Sequence, residues 1–151
     1  MRGYRLVKKR WSEQAFDGEG ARRYGGRWNS KGKRCLYLAS TASLALLEIM
    51  VHLDDYSLLA DYTFYQMTIP DTSLLELDSD SLADDWDADP APSSTAQIGD
   101  EWLGSLASTA IYAPSTIIPM ETIILLNPAH PQYAGLLNTI TEVDFRADTR
   151  L

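Results

Sequence analysis

Hydrophobic positions along this chain change period several times, and each change marks an element. Residues 1 to 35 mix aromatic, basic and glycine residues without a helical period, which predicts short strands joined by tight turns. Cys35-Leu36-Tyr37-Leu38-Ala39 is an apolar run of strand length, and the Ser40-Thr41 behind it supplies an N-cap. From Ala42 to Leu53 the apolar residues cover most of a helical circumference, broken only by Ser43, Glu48 and His52. That spacing predicts a helix buried on more than one side, ended by Asp54-Asp55. Tyr62 to Ile69 then carries the aromatic and β-branched mix of a strand, up to Pro70.

The stretch from Asp71 to Glu101 holds ten acidic residues and no Lys or Arg, with Pro90, Pro92 and a Ser-Ser-Thr cluster inside it. It predicts a loop-rich surface excursion, packed at intervals through Leu74, Leu75, Trp86 and Ile98. Trp102 to Ala107 reads as the end of a short helix. Thr109 to Ala113 and Glu121 to Leu126 read as strands separated by Pro114 and Pro119, and Ile140 to Phe145 as an edge strand. Without repeats or heptads, residues 1–151 are expected to form one α+β domain, with helices flanking antiparallel or mixed sheet.

Composition narrows the setting. At 151 residues and 45% hydrophobic, the chain is long enough to bury a core without staples. Its one cysteine, Cys35, cannot form an internal disulfide, so no oxidising compartment is required. No apolar run is long enough for a signal-peptide core or a membrane span, and the expected location is the cytoplasm. The net charge of −8 is unevenly spread. Residues 1 to 35 contain eleven of the thirteen Lys and Arg against Glu13, Asp17 and Glu19. Such a basic third either meets an anionic ligand or neutralises the acidic remainder within the fold.

Two residues stand out chemically. Arg27 sits in Gly25-Gly26-Arg27-Trp28-Asn29, where a tight turn offers a planar guanidinium and nearby backbone N–H groups to a diphosphate; stacking of a surface arginine on Trp28 is the alternative. Glu48 lies inside Leu44-Ala45-Leu46-Leu47-Glu48-Ile49-Met50-Val51, and burying an unpaired carboxylate costs several kcal/mol, on the order of other lone buried charges. It therefore needs a partner, such as His52 one turn on or Arg27, or a task. No Walker A loop, Gly-x-Gly-x-x-Gly or Gly-x-Ser-x-Gly elbow is present. His52, His130 and Cys35 fit no metal-ligand spacing, and no metal is expected.

The sequence resembles the RES-domain family, the toxin half of RES–Xre toxin–antitoxin modules. The resemblance runs the full length. It is carried by Ala15-Phe16-Asp17-Gly18-Glu19-Gly20-Ala21, Gly26-Arg27-Trp28-Asn29, Tyr37-Leu38-Ala39, Leu44-Ala45-Leu46-Leu47-Glu48, Pro114-Ser115 and Asn127-Pro128-x-His130-Pro131. The family's arginine, glutamate and serine match Arg27, Glu48 and Ser115. The resemblance implies a fold related to ADP-ribosyltransferase toxins and cleavage of the nicotinamide–ribose bond of NAD+, by hydrolysis, phosphorolysis or ADP-ribosyl transfer to a protein. It also implies neutralisation by an Xre-type antitoxin that occludes the active site, and a homodimer. NAD+ is then the substrate, and no cofactor is expected.

The residues fit this chemistry in their own right. Nicotinamide leaves NAD+ as a neutral molecule, so one carboxylate, Glu48, suffices to stabilise an oxocarbenium-like transition state or hold the ribose hydroxyls. Arg27 would clamp the diphosphate, and Tyr37 would stack on the nicotinamide end unless it is a core tyrosine. By the resemblance, Ser115 would hydrogen-bond the substrate or Glu48, and Trp28 and Asn127 would complete the lining. Two rivals remain: an RNA-binding or RNA-cleaving toxin using the basic third with Trp11, Tyr24 and Trp28 as stacking aromatics, against which the net charge argues, and a non-catalytic interaction module. Direct nucleic-acid binding is not expected.

Overall fold

The computed structural model describes residues 1–151. Its centre is one seven-stranded sheet. The strands are β1 (Arg2–Lys8), β2 (Leu36–Ala39), β3 (Tyr62–Thr68), β4 (Leu74–Glu76), β5 (Ala110–Pro114), β6 (Thr122–Leu126) and β7 (Thr141–Val143), in spatial order β4-β5-β6-β2-β1-β3-β7. Only β4 and β5 run parallel; every other pair is antiparallel. Four α-helices flank the sheet: α1 (Glu19–Tyr24), α2 (Ala42–Met50), α3 (Ser93–Ser105) and α4 (Tyr133–Leu137). None is long and apolar enough to cross a membrane.

Period-two alternation gives the sheet two apolar faces. Leu36, Leu38, Ile124 and Leu126 pack with Met67, Ile69 and the α4 residues Tyr133 and Leu136. The alternate positions Cys35, Ile111, Ala113 and Leu125 pack under Trp102 and Leu103 of α3. Further along that side, Leu6, Ala39 and Phe64 receive Leu44 and Ala45 of α2. Thr41 caps α2 by accepting the Leu44 N–H at 3.1 Å, the cap its sequence predicts.

The pairing between β1 and β2 positions the functional cleft. β1 pairs with β3 through all seven of its residues, from Arg2 opposite Thr68 to Lys8 opposite Tyr62. Against β2 it keeps a single register pair, Tyr4 opposite Ala39. The sheet therefore parts between these two strands, and Tyr4, Arg5 and Leu6 face Tyr37, Leu38 and Ala39 across a cleft.

Three expectations need correcting. The N-terminal third holds one long strand, a 3-10 helix (Lys9–Gln14) and α1, not several short strands. Helix α1 forms because Glu19 pairs with Arg22 and Arg23 at helical spacing and Asp17 accepts the Glu19 N–H at 2.8 Å. Second, the helix expected near Trp102 begins at Ser93. Its buried stripe is Thr95, Gly99, Trp102 and Leu103, correctly spaced for a helix but half composed of small residues that a search for apolar periodicity passes over. Third, α2 buries only Leu44 and Ala45; a second side, with Ala45, Glu48 and Ile49, forms a wall of the cleft. The strands expected at Thr109 and Glu121 begin one residue later, and the last strand is an edge strand, as its sequence predicts.

Candidate active site

The cleft has a volume of about 1240 Å³, and Arg5, Arg27, Tyr37 and Glu48 all line it. Glu48 projects into it from α2, half-buried. Desolvation pushes its carboxyl above the ordinary glutamate range, opposed by the Ser115 hydroxyl and by the nearby charges of His52 and Arg27. The partner demanded by its apolar surroundings is thus Ser115 by hydrogen bond, with His52 and Arg27 acting through space.

Ser115 is fully buried where β5 gives way to a tight turn. Its Oγ accepts the N–H groups of Ile117 and Ile118 at 3.1 and 3.2 Å and donates to Glu48 Oε1 at 3.4 Å. Two donors occupy the oxygen, so the hydroxyl proton is directed to the carboxylate. Of the two partners expected for Ser115, the geometry gives Glu48. The turn is tied to α2 a second time, because Glu121 accepts the Ser115 N–H through its carbonyl and the Thr41 hydroxyl through its carboxylate, both at 3.0 Å.

Arg27 meets the acidic excursion. Its Nη1 donates to the carbonyls of Trp86 and Ala88 at 2.7 and 2.9 Å, which holds Asp87 and Asp89 in the cleft wall, while Trp86 leans on Trp28 with ring centroids 6.3 Å apart. Nε and Nη2 have no protein partner. That edge is the two-pronged donor that suits phosphate oxygens.

Tyr37 has its hydroxyl committed, donating to Asn29 Oδ1 at 2.6 Å and accepting the Trp28 N–H at 3.1 Å. Burial pushes the phenol well above its ordinary value. Its hydroxyl therefore braces the Arg27 turn, and only its ring borders the cleft. Gly26 is required there, since a Cβ would lie 2.6 Å from the Tyr37 hydroxyl.

Two further expected lining residues fare differently. Trp28 borders the cleft, but at 1% exposure it also belongs to the core under α3. Asn127 lies past the far end of β6 from Ser115, fully buried, with Nδ2 donating to the Leu103 carbonyl and Oδ1 accepting the Ala129 N–H. Asn127 is structural because a buried side chain with its polar atoms engaged cannot reach a ligand, whereas the buried Trp28 Nε1 has no hydrogen-bond partner. His130 is distant too, its Nδ1 engaged by Thr109 and the Gln132 N–H, so it does not serve Ser115 as a base. Cys35 is buried, and its thiol is pushed up to about 12.

Arg5 escaped the sequence reading as anything more than one charge in the basic third. Its Nη1 donates to the Tyr37 carbonyl at 2.8 Å across the parted strands, and its Nε is buried without a partner. No local signal marks it, since a cation between Tyr4 and Leu6 is the ordinary apolar–polar alternation of a strand. Elsewhere the basic third is neutralised only in part: Glu19 bridges Arg22, Arg23 and Arg34, and its carboxyl is held down to about 2, chiefly by Arg22.

A sequence model of the RES domain matches residues 2–148. The chain belongs to the RES domain family. This RES domain is 41% identical over 148 residues to Toxin Res of Yersinia enterocolitica, covering 98% of this chain and 97% of that one. To the Prs ADP-ribosylating toxin of a Sphingobium species it is 37% identical over 124 residues, covering 80% and 77%. The fold is similar to one in the crystal structure of the Mycobacterium tuberculosis MbcT–MbcA toxin–antitoxin complex, with a TM-score of 0.70 at 20% identity over 95% of this chain and 83% of that chain. Within the RES domain, then, Arg27, Tyr37 and Glu48 gather on one cleft, and Ser115 supports it from behind.

Proposed function

We propose that this chain is the toxin of a toxin–antitoxin pair and that it breaks the nicotinamide–ribose bond of NAD+. The observation that carries the reading is Glu48: a half-buried carboxylate in the cleft, oriented by the Ser115 hydroxyl, with the free edge of Arg27 nearby. The names of the relatives, Toxin Res and an ADP-ribosylating toxin, support it.

Cleavage of the C1′–N bond sends its electron pair to the pyridinium ring, so nicotinamide departs uncharged without a proton donor. Positive charge then builds on the ribose, and Glu48 as carboxylate stabilises it at short range in a partly desolvated site. Arg27 holds the diphosphate through Nε and Nη2, and Arg5 adds a second cation in the wall of the parted strands. The ribosyl cation is captured by water, which loses a proton, by phosphate, or by a nucleophile on a protein. NAD+ loss would arrest growth of the cell that makes the protein, in its cytoplasm, until an Xre-type antitoxin covers the cleft; the free toxin acts as a homodimer.

The test is incubation of the antitoxin-free chain with NAD+, with and without phosphate, following nicotinamide and the ribosyl product by chromatography beside Glu48→Ala. Nicotinamide release that needs Glu48 is expected, and the product names the acceptor; cell lysate supplies protein acceptors. Release that persists in Glu48→Ala, or no release under any of the three conditions, overturns the reading.

A further inference from the structure

Tyr24 is the one aromatic ring of the cleft that nothing in the protein covers. It ends α1 at the cleft mouth and is 77% exposed. The other aromatic linings are engaged: Trp28 is in the core, Tyr37 is held by two hydrogen bonds, and Tyr4 packs edge-on against Phe64 at 6.1 Å. Tyr24 has no such partner. It precedes Arg27 by three residues, a chain reach of at most about 10 Å, and Arg27 is near enough to Glu48 for its charge to act there. One cleft therefore carries an exposed aromatic, a nearby guanidinium with a free edge, and a carboxylate. A dinucleotide carries a matching set: a purine, a diphosphate, and a ribose bearing the leaving group.

We propose that Tyr24 stacks on the adenine ring of NAD+ and selects for a substrate with an adenosine half. This rests on the proposed NAD+ chemistry for its ligand, but it makes a separate demand on binding. A purine face laid on Tyr24 covers an exposed ring and requires no base-specific hydrogen bond.

The experiment measures equilibrium binding of NAD+ and of nicotinamide mononucleotide to the full chain carrying Glu48→Gln, which prevents turnover, alone and with Tyr24→Ala or Tyr24→Phe. With Tyr24→Ala the dissociation constant for NAD+ is expected to rise about tenfold, while that for the mononucleotide stays within twofold. Tyr24→Phe, which keeps the ring, is expected to restore NAD+ binding. An unchanged NAD+ constant in Tyr24→Ala, an equal loss for both ligands, or a Phe variant as weak as Ala overturns the assignment. Nicotinamide release by the unsubstituted chain is followed separately. NAD+ binding that depends on the Tyr24 ring without release would remove the proposed reaction and leave the stacking role standing; absence of NAD+ binding removes both.

Discussion

Ser115 Oγ and Glu48 Oε1 lie 3.4 Å apart across the base of the cleft, and the serine reaches the carboxylate with an oxygen already bonded to the Ile117 and Ile118 N–H groups. Ser115 is therefore a positioning residue that acts through Glu48. Because its hydrogen bond favours the ionised carboxylate, Ser115→Ala should raise the Glu48 pKa further and move the acid limb of the pH–rate profile to higher pH. Two part-buried N–H groups lose their acceptor as well, which costs about 1 kcal/mol of stability. A variant with an unshifted acid limb would contradict the positioning role, and denaturant unfolding measures the structural part.

Glu48 itself should cost the fold stability in exchange for its task. Its folded-state pKa lies above the unfolded value, so the native state holds the proton more tightly. Stability is lost as pH rises from the ordinary glutamate range to the raised native one, and stays lost above it. Glu48→Gln removes that loss. The Gln variant should melt higher than the parent at pH 8, the difference should shrink toward pH 4, and nicotinamide release should vanish. Thermal melts at the two pH values check this, and a Gln variant that is the less stable at pH 8 would reject it.

Arg27 joins two parts of the molecule, and lysine cannot replace it in either. One ammonium cannot hold the Trp86 and Ala88 carbonyls while also presenting a planar two-donor edge. Arg27→Lys should therefore raise KM for NAD+ on the order of tenfold or more and loosen the segment around Trp86. Limited proteolysis between residues 84 and 91, with kinetics on the same sample, reads both effects. Loss of affinity with the segment still protected would separate the two roles.

The two charged anomalies show what was legible in the chain. Glu48 was visible because a carboxylate within an apolar helix needs a reason, and the capped helix that carries it starts where Thr41 predicts. Arg27 was visible from the glycines around it, but its hold on Trp86 and Ala88 was not, since backbone carbonyls fifty-nine and sixty-one residues away leave no trace in local pattern. Asn127 was misplaced for a related reason: membership in a motif does not say which way a side chain faces. The parting of β1 from β2, which makes the cleft, is set by long-range pairing and has no local sign.

Gly99 of α3 tests whether the cleft depends on packing outside it. A Cβ at this position would fall 1.6 Å from the Trp28 carbonyl oxygen, so α3 and the turn that carries Arg27 touch backbone to backbone. Alanine is the better helix former and in an exposed helix would stabilise by about 1 kcal/mol. Here the contact must open, and because Trp28 lies in the core the displacement passes to the adjacent Arg27. Gly99→Ala should lower the melting temperature and weaken NAD+ affinity although Gly99 does not line the cleft. Paired melting and binding measurements decide it: a variant with raised stability and unchanged affinity would mean that the Arg27 turn tolerates the shift, and that the close approach of α3 does not set the site's geometry.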